Sequence, residues 1–411
     1  MLMKTLKKKL VVIMMFAFAL SASCRTPGDT AQRPILPGDL NAAQALVADM
    51  GFGVNIGNTL DAIGHCCWRA GETGWGNPPI TRDFISALRT HGFRTVRLPV
   101  TWAEYIGLGP DYLIEESRMA RVEEVVNWIL EEDMYVILNM HHDGGNIGPI
   151  NGGLANVAWI LHIADRDEAG YFYREEEIIG KFASVWKQIA QRFRDTPDKL
   201  LFQSMNEIGF DTLWNRWAPG QTAQKAEAYR LLNRLNQTFV DTVRATGGGN
   251  AERFLVVQGY WTDIQNTVDP LFQMPTDTVT YRLILSIHYY TPWDFIVPWY
   301  FPHARRDWGT IADREQLRQL FNLLRIPFLD RGIPIILGEF MAGRVIADTQ
   351  REEYRFLWID AVTRTALDLG IAPVFWEIGS QHPGPHGMGD INRRYPFEMS
   401  ETFRRVMEPH L

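Results

Sequence analysis

Eight short apolar runs, each finishing on a polar or aromatic side chain, constrain this chain more than any other feature. They lie near "GFGVNIGN" (51–58), "FRTVRLPV" (93–100), "MYVILNMH" (134–141), "LLFQSMNE" (200–207), "RFLVVQGY" (253–260), "RLILSIHYY" (282–290), "IPIILGEF" (333–340) and "IAPVFWE" (371–377). Helical patterns separate them. Met119, Val122, Val126, Ile129 and Leu130 fall on one face at a 3.6-residue period, as do Ile178, Ile179, Phe182, Val185, Trp186, Ile189 and Phe193. Weaker stripes run through Leu232, Leu235, Phe239 and Val243, and through Leu317, Leu320, Phe321 and Leu324. Strands alternating with helices predict βαβ units and a parallel sheet, an α/β fold. Eight is the count that closes into a single (β/α)8 TIM barrel, and 411 residues accommodate one with loop insertions. A doubly wound open sheet is the alternative, but no glycine-rich fingerprint follows the first run.

In a barrel the C-terminal ends of the strands share one face, where the chemistry of this architecture sits. Those ends carry Asn55, Arg97, His141, Asn206 with Glu207, Gln258, His288 with Tyr290, Glu339, and Trp376 with Glu377. One polar end is explained by the chain reaching solvent. Eight together point to a site.

The N-terminus stands apart from this pattern. Lys4, Lys7, Lys8 and Lys9 precede the apolar run "LVVIMMFAFAL" and the small residues of "SASC", the order of an export signal. The run is too short for an ordinary transmembrane helix. Ending at Cys24, residues 1–24 also resemble a lipoprotein signal in which that cysteine is acylated, although Leu20 lies four residues before Cys24 where the usual pattern has three. Residues 25–40 read as a tether rich in Pro and Gly, and 41–411 as one barrel domain without a second linker. The expected location is outside the cytoplasm of a bacterium, membrane-anchored through Cys24 or secreted. Cys66 and Cys67 are adjacent, which makes them two thiols or a strained vicinal disulfide and a poor zinc site.

Composition supports a large core, with 46% hydrophobic residues including 14 Trp, 13 Tyr and 22 Phe. A net charge of −7 with no basic stripe argues against nucleic acid as a partner. No metal or cofactor is called for, and a monomer is expected.

Glu207 and Glu339 end the fourth and seventh runs, which face each other across the mouth of a closed eight-strand barrel. Two facing carboxylates suit glycosidic bond hydrolysis, one protonating the leaving oxygen while the other attacks or activates water. Taken singly, each is an ordinary strand-end charge more often than a functional one. Arg97 would hold a neighbouring carboxylate ionised, or form a structural ion pair. Tyr290 is placed to hydrogen-bond the same carboxylate, His288 and His141 to bind substrate or orient the acid, and Asn206 to reach a sugar 2-hydroxyl. Sugar faces also want flat apolar platforms. Trp376 is the better candidate, since most aromatics of "YYTPWDFIVPWYFPHARRDW" (289–308) are expected to pack on the barrel top.

At these residues the chain resembles glycoside hydrolase family five, of the cellulase-like clan of retaining (β/α)8 enzymes. The resemblance runs from about Gly51 to the end of the eighth strand, on "NIGNTLDA", "ETGWGNPP", "GFRTVRLPVTW", "YVILNMHHDGG", "SMNEI", "SIHYYTPWDF", "ILGEF" and "FWE" in order. "NIGNTLDA", "WGNPP" and "HYYTPW" are most similar to the endoglucanase, lichenase and xyloglucanase branch. The resemblance implies endo-hydrolysis of a plant-type β-glucan with retained configuration, Glu207 as acid/base and Glu339 as nucleophile. It implies support from Arg97, Tyr290, His141, Asn206, His288, Trp376 and Asn55. The expected carboxyl separation is ~5–5.5 Å, with Glu207 protonated and Glu339 ionised. Two departures bear on substrate preference: "WEIG" where the branch often has "WDNG", placing Glu377 and Ile378 near the sugar, and the "IGHCCWRAG" insertion (63–71).

Two other readings compete. "MHHDGG" with His288 and strand-end carboxylates would suit a metal-dependent hydrolase, but no H-x-H or H-E-x-x-H spacing appears. A surface glycan-binding lipoprotein without catalysis would be expected to lack one of the two glutamates.

Overall fold

The eight expected strands all form, each inside the run that announced it. They are β1 (Gly53–Asn55), β2 (Thr95–Leu98), β3 (Tyr135–Asn139), β4 (Leu200–Gln203), β5 (Leu255–Gln258), β6 (Leu283–Tyr289), β7 (Ile335–Phe340) and β8 (Ala372–Phe375). All pair in parallel in sequence order, and β8 returns to β1, so the sheet is a closed barrel. The structure, a computed structural model, describes residues 40–64, 69–143, 175–210, 213–214, 218–345, 348–379 and 389–410. Cys24, Cys66, Cys67, the tether and most of the 141–175 loop lie outside the described residues.

The stripes read from the sequence become helices. Among the described residues these are α1 (Ala42–Asp49), α2 (Arg82–Thr90), α3 (Glu116–Glu131), α4 (Glu175–Arg192), α5 (Thr222–Ala245), α6 (Ile264–Thr267), α7 (Trp293–Ile296), α8 (Ile311–Asn322), α9 (Thr349–Asp368) and α10 (Glu401–Met407). Their starts have local causes. Asn41 and Thr310 form capping boxes with Gln44 and Asp313, while Thr81, Asp348 and Ser400 cap α2, α9 and α10. A short hairpin, β9 (Ile391–Asn392) with β10 (Glu398–Met399), was not legible in the sequence.

Alternation along the strands divides the core in two. Ile137, Leu201, Val256, Ile284, Ile336 and Val374 fill the barrel interior together with Ala43, Leu46 and Val47 of α1 and Met50 just after it. Their strand neighbours Val136, Leu138, Leu200, Phe202, Val257, Leu285 and Leu337 face the helices. No apolar stripe in the sequence marks α1, which packs against the N-terminal strand ends, where the Met50 carbonyl accepts a hydrogen bond from Thr95. Two residues further along the inward face, the apolar layer gives way to buried Asn139, Gln203, Gln258 and Ser286, level with Asn55 and Arg97. The polar layer is the floor of the site.

Candidate active site

Arg97 organises this floor. Its guanidinium is fully buried and donates to four acceptors: Glu339 Oε1 (2.6 Å), Asn55 Oδ1 (2.8 Å), Gln203 Oε1 (2.7 Å) and Asn206 Oδ1 (2.7 Å). A rigid planar fork can serve that many partners at fixed angles, which an ammonium cannot. Gln203 was missed in the sequence analysis; the only signal was an amide closing the apolar run "LLFQ".

Glu339 reaches the mouth because β7 breaks register. Ile287 pairs with Leu337 but His288 pairs with Glu339, so β7 carries one extra residue, Gly338. Without that shift Glu339 would share the outward parity of Ile335 and Leu337. Glycine suits position 338, since a Cβ there would stand 2.6 Å from Ser286 Oγ and would have to displace that hydroxyl. Asn55 Nδ2 donates to the Gly338 carbonyl at 2.9 Å and so secures the bulge. Asn55 is fully buried and supports the site from beneath, out of reach of a substrate.

Both oxygens of Glu339 are held, Oε1 by Arg97 and Oε2 by the Tyr290 hydroxyl at 2.8 Å, with His288 Nδ1 3.5 Å from Oε2. Burial nevertheless pushes this carboxyl above its ordinary range, against the pull of Arg97 and the Tyr290 hydrogen bond. Arg97 and Tyr290 both favour the ionised form, as expected, but desolvation acts against them and is the larger influence. Tyr290, itself partly buried, stays a phenol donor because desolvation raises it well above its ordinary value.

Glu207 sits in a different environment. Its side chain is 33% exposed, against 5% for Glu339, and Oε1 lies 2.7 Å from His288 Nδ1. Burial drives the His288 pKa down to about 3, so the ring is neutral at working pH. A neutral imidazole can donate to ionised Glu207 or accept from its protonated form, depending on tautomer. One oxygen from each glutamate and a ring nitrogen of His288 lie within 4.8 Å of one another.

The remaining predicted residues close the wall. His141 lies 3.1 Å from the Asn139 amide and 3.4 Å from that of Asn206, and burial keeps its ring neutral. Trp376 stacks parallel to it at 5.4 Å and stays half-buried. His142 turns instead toward Asp61 (3.9 Å) and the Trp75 ring. Asp61, His141 and His142 have the reach of a metal cluster. Asp61, however, already accepts the Asn58 and Thr59 amides, and both His141 nitrogens face side-chain amides.

Glu377, expected near the sugar, is buried and turned inward. It accepts the Gly379 amide at 2.5 Å and the Asp390 amide at 2.7 Å, and burial beside Asp390 raises its pKa to about 7. In the 289–308 segment Tyr289, Phe295 and Trp308 are buried as expected, whereas Trp293 is 52% exposed.

Substituting Tyr290 tests the electrostatics. A nucleophilic role for Glu339 would require its ionised form, which the Tyr290 hydroxyl favours. Tyr290→Phe is expected to move the acid limb of kcat/KM to higher pH and to lower kcat about 10-fold or more. An acid limb that stays put or moves down would contradict this account.

Comparison with known proteins shows a family. A family model described as Cellulase (glycosyl hydrolase family 5) matches residues 58–382. Endoglucanase A of Paenibacillus barcinonensis is 36% identical over 375 residues, 86% of each chain. A xyloglucan-specific endo-β-1,4-glucanase of Bacteroides ovatus is 33% identical over 362 residues, 83% of this chain and 66% of that one. A broad-specificity endoglucanase from Ruminococcus champanellensis, solved with bound cellotriose, superposes with a TM-score of 0.74 at 32% identity, covering 90% of this chain and 98% of that one.

Proposed function

The chain belongs to glycosyl hydrolase family 5, the cellulase family, and is an endoglucanase-type glycoside hydrolase; from that premise we propose that it cleaves the backbone of a β-1,4-linked glucan by double displacement. The substrate class is β-glucan of the cellulose, mixed-linkage or xyloglucan type. Mannan lies outside it.

In the first step Glu207 gives its proton to the glycosidic oxygen while Glu339 attacks the anomeric carbon. The C–O bond breaks, the leaving chain departs as an alcohol, and a glycosyl ester remains on Glu339. In the second, water attacks that carbon, Glu207 takes its proton, and Glu339 is released as carboxylate. His288 stays hydrogen-bonded to Glu207 in both of its states. Arg97 and Tyr290 fix the plane of the nucleophile and stabilise the charge that returns to it.

The observation that carries this reading is the close approach of two carboxylates in unlike settings, one buried and clamped by a cation, the other a third exposed on a neutral imidazole. Such contrast is how two identical side chains take opposite roles.

The test is reducing-sugar release from xyloglucan, mixed-linkage glucan, carboxymethylcellulose and mannan, with and without chelator, and NMR of the first anomer formed. Chelator-insensitive cleavage of a β-glucan with the β-anomer appearing first is expected. An α-anomer would overturn double displacement, and activity on mannan alone would overturn the substrate class. Loss of activity with chelator would favour metal chemistry, and inactivity of the folded protein on every polymer would favour a binding role.

The proposal includes export and anchoring through an acylated Cys24, supported by the charged, apolar and small-residue order before it. Membrane fractionation should release Cys24→Ser into the soluble fraction. Retention of that variant in the membrane would count against the anchor.

A further inference from the structure

A buried guanidinium beside the mouth has no part in the chemistry above. Arg393 follows β9, is 5% exposed, and reaches the seam where the barrel closes on itself. Regular pairing between β8 and β1 stops at Phe375 and Val54. Past it, the Gly57 amide donates to the Glu377 carbonyl at 2.9 Å. Arg393 then spans the same two residues. Its Nη1 donates to the Gly57 carbonyl at 2.8 Å and its Nη2 to the Glu377 carbonyl at 2.7 Å. A planar fork holds two acceptors at a fixed separation, which an ammonium does not. A side chain from outside the barrel sheet thus closes the seam at the mouth.

Three elements hold Arg393 in place through Asp390, three residues earlier. The Asp390 amide donates to Glu377 Oε2 at 2.7 Å, while its carboxylate accepts from Ser400 Oγ at 2.5 Å and from Arg355. The end of β8, α9 and the cap of α10 therefore all fix the start of β9. Glu377 and Asp61 are the carboxylates that offset the buried charge of Arg393.

What the seam supports is the Trp376 ring. A Cβ on Gly57 would stand 2.9 Å from Trp376 Cζ2 and Cη2 and 3.1 Å from the Glu377 carbonyl, so the indole rests directly on the Gly57 backbone. The same ring stacks on His141, 5.4 Å between centroids and 4° from parallel. The Trp376 amide donates to the Phe340 carbonyl at 3.0 Å, one residue past Glu339. The backbone of Trp376 is thus tied to the strand that carries Glu339, and the tilt of its ring is left to the seam. If the Gly57 and Glu377 carbonyls part, the ring loses the surface that keeps it parallel to His141.

We propose that Arg393 is a positioning residue for the glycone: by tying the Gly57 and Glu377 carbonyls together it sets the angle at which Trp376 lines the cleft. This rests on the β-glucanase reading and on Trp376 lining its cleft, and adds to them a residue that touches no substrate.

The experiment is a double-mutant cycle on an activated aryl β-cellobioside, whose two sugars both lie on the glycone side. Arg393→Lys keeps the charge that balances Glu377 and Asp61 but loses the fork. It is expected to lower kcat/KM about 10-fold while Trp376 is present, the scale on which small misplacements act. In a Trp376→Ala background the same change should cost no more than about 2-fold, because the ring it positions is gone. Gly57→Ala, which presses on the indole from the seam, should show the same dependence on Trp376. An equal loss in both backgrounds would make Arg393 a mere support of the fold and overturn the proposal. Failure of both Arg393→Lys and Gly57→Ala to fold would overturn it in the same way. Inactivity of the folded wild type would overturn the glucanase reading itself, a result distinct from equal losses in an active enzyme.

Discussion

Glu339→Gln is expected to lower turnover on any β-glucan by ~10,000-fold or more, the scale on which covalent nucleophiles fail when removed. The amide keeps the shape of the side chain and an oxygen for Arg97, so loss of fold does not explain the loss of rate. What disappears is the negative oxygen that, in the proposed double displacement, attacks the anomeric carbon. The companion experiment uses azide with an activated aryl cellobioside. Glu339→Ala leaves room for azide at the nucleophile's place and should yield the α-glycosyl azide. Glu207→Ala still forms the glycosyl ester from a good leaving group, and azide then opens it to the β-glycosyl azide. Near-wild-type activity in Glu339→Gln would sink the nucleophile assignment. The two azide products appearing the other way round would exchange the roles of the glutamates.

Arg97→Met is expected to be the most damaging change in the floor of the barrel. The substitution leaves Glu339, Asn55, Gln203 and Asn206 facing a side chain with no donor. Breaking a buried ion pair by removing one partner costs about 3–5 kcal/mol, because the remaining charge stays desolvated. Native domains hold only about 5–15 kcal/mol in all. The thermal midpoint should therefore fall by roughly 4–6 °C, since a domain of this length unfolds with a large entropy. Activity should fall as well, and its acid limb should move to higher pH, since Arg97 is one of the influences holding the Glu339 carboxyl down against burial. Arg97→Lys keeps the charge but cannot fork to four acceptors, and should recover stability in part without recovering full activity. A folded Arg97→Met with unchanged midpoint and rate would show that the floor does not depend on this guanidinium.

Most of the fold was legible because its signals are local and repeated. Each strand lay inside an apolar run, and α3, α4, α5 and α8 followed their 3.6-residue stripes. Features without a period were missed. α1 has only three buried side chains, Ala43, Leu46 and Val47, too weak a stripe to stand out, yet it seals the bottom of the barrel. The β9–β10 hairpin has two residues per strand, too few to alternate. Glu377 was legible as a departure in the motif but not in its direction, which depends on the amides of Gly379 and Asp390 reaching it. Arg393 gave no signal because its fork depends on carbonyls from two distant strand ends.

The amino-acid sequence by itself determined the number and order of the strands, their closure into a barrel, and the polar residues gathered at one end. Those follow from patterns of period two and 3.6 together with the rule that parallel strands share a direction. Only the tertiary structure decided where the chemistry points. The extra residue at Gly338 turns Glu339 into the mouth, Arg97 joins four strand ends through one guanidinium, and desolvation outweighs that cation in setting the Glu339 carboxyl. Register shifts, convergent hydrogen bonds and burial are relations between distant segments, and no local pattern of residues encodes them.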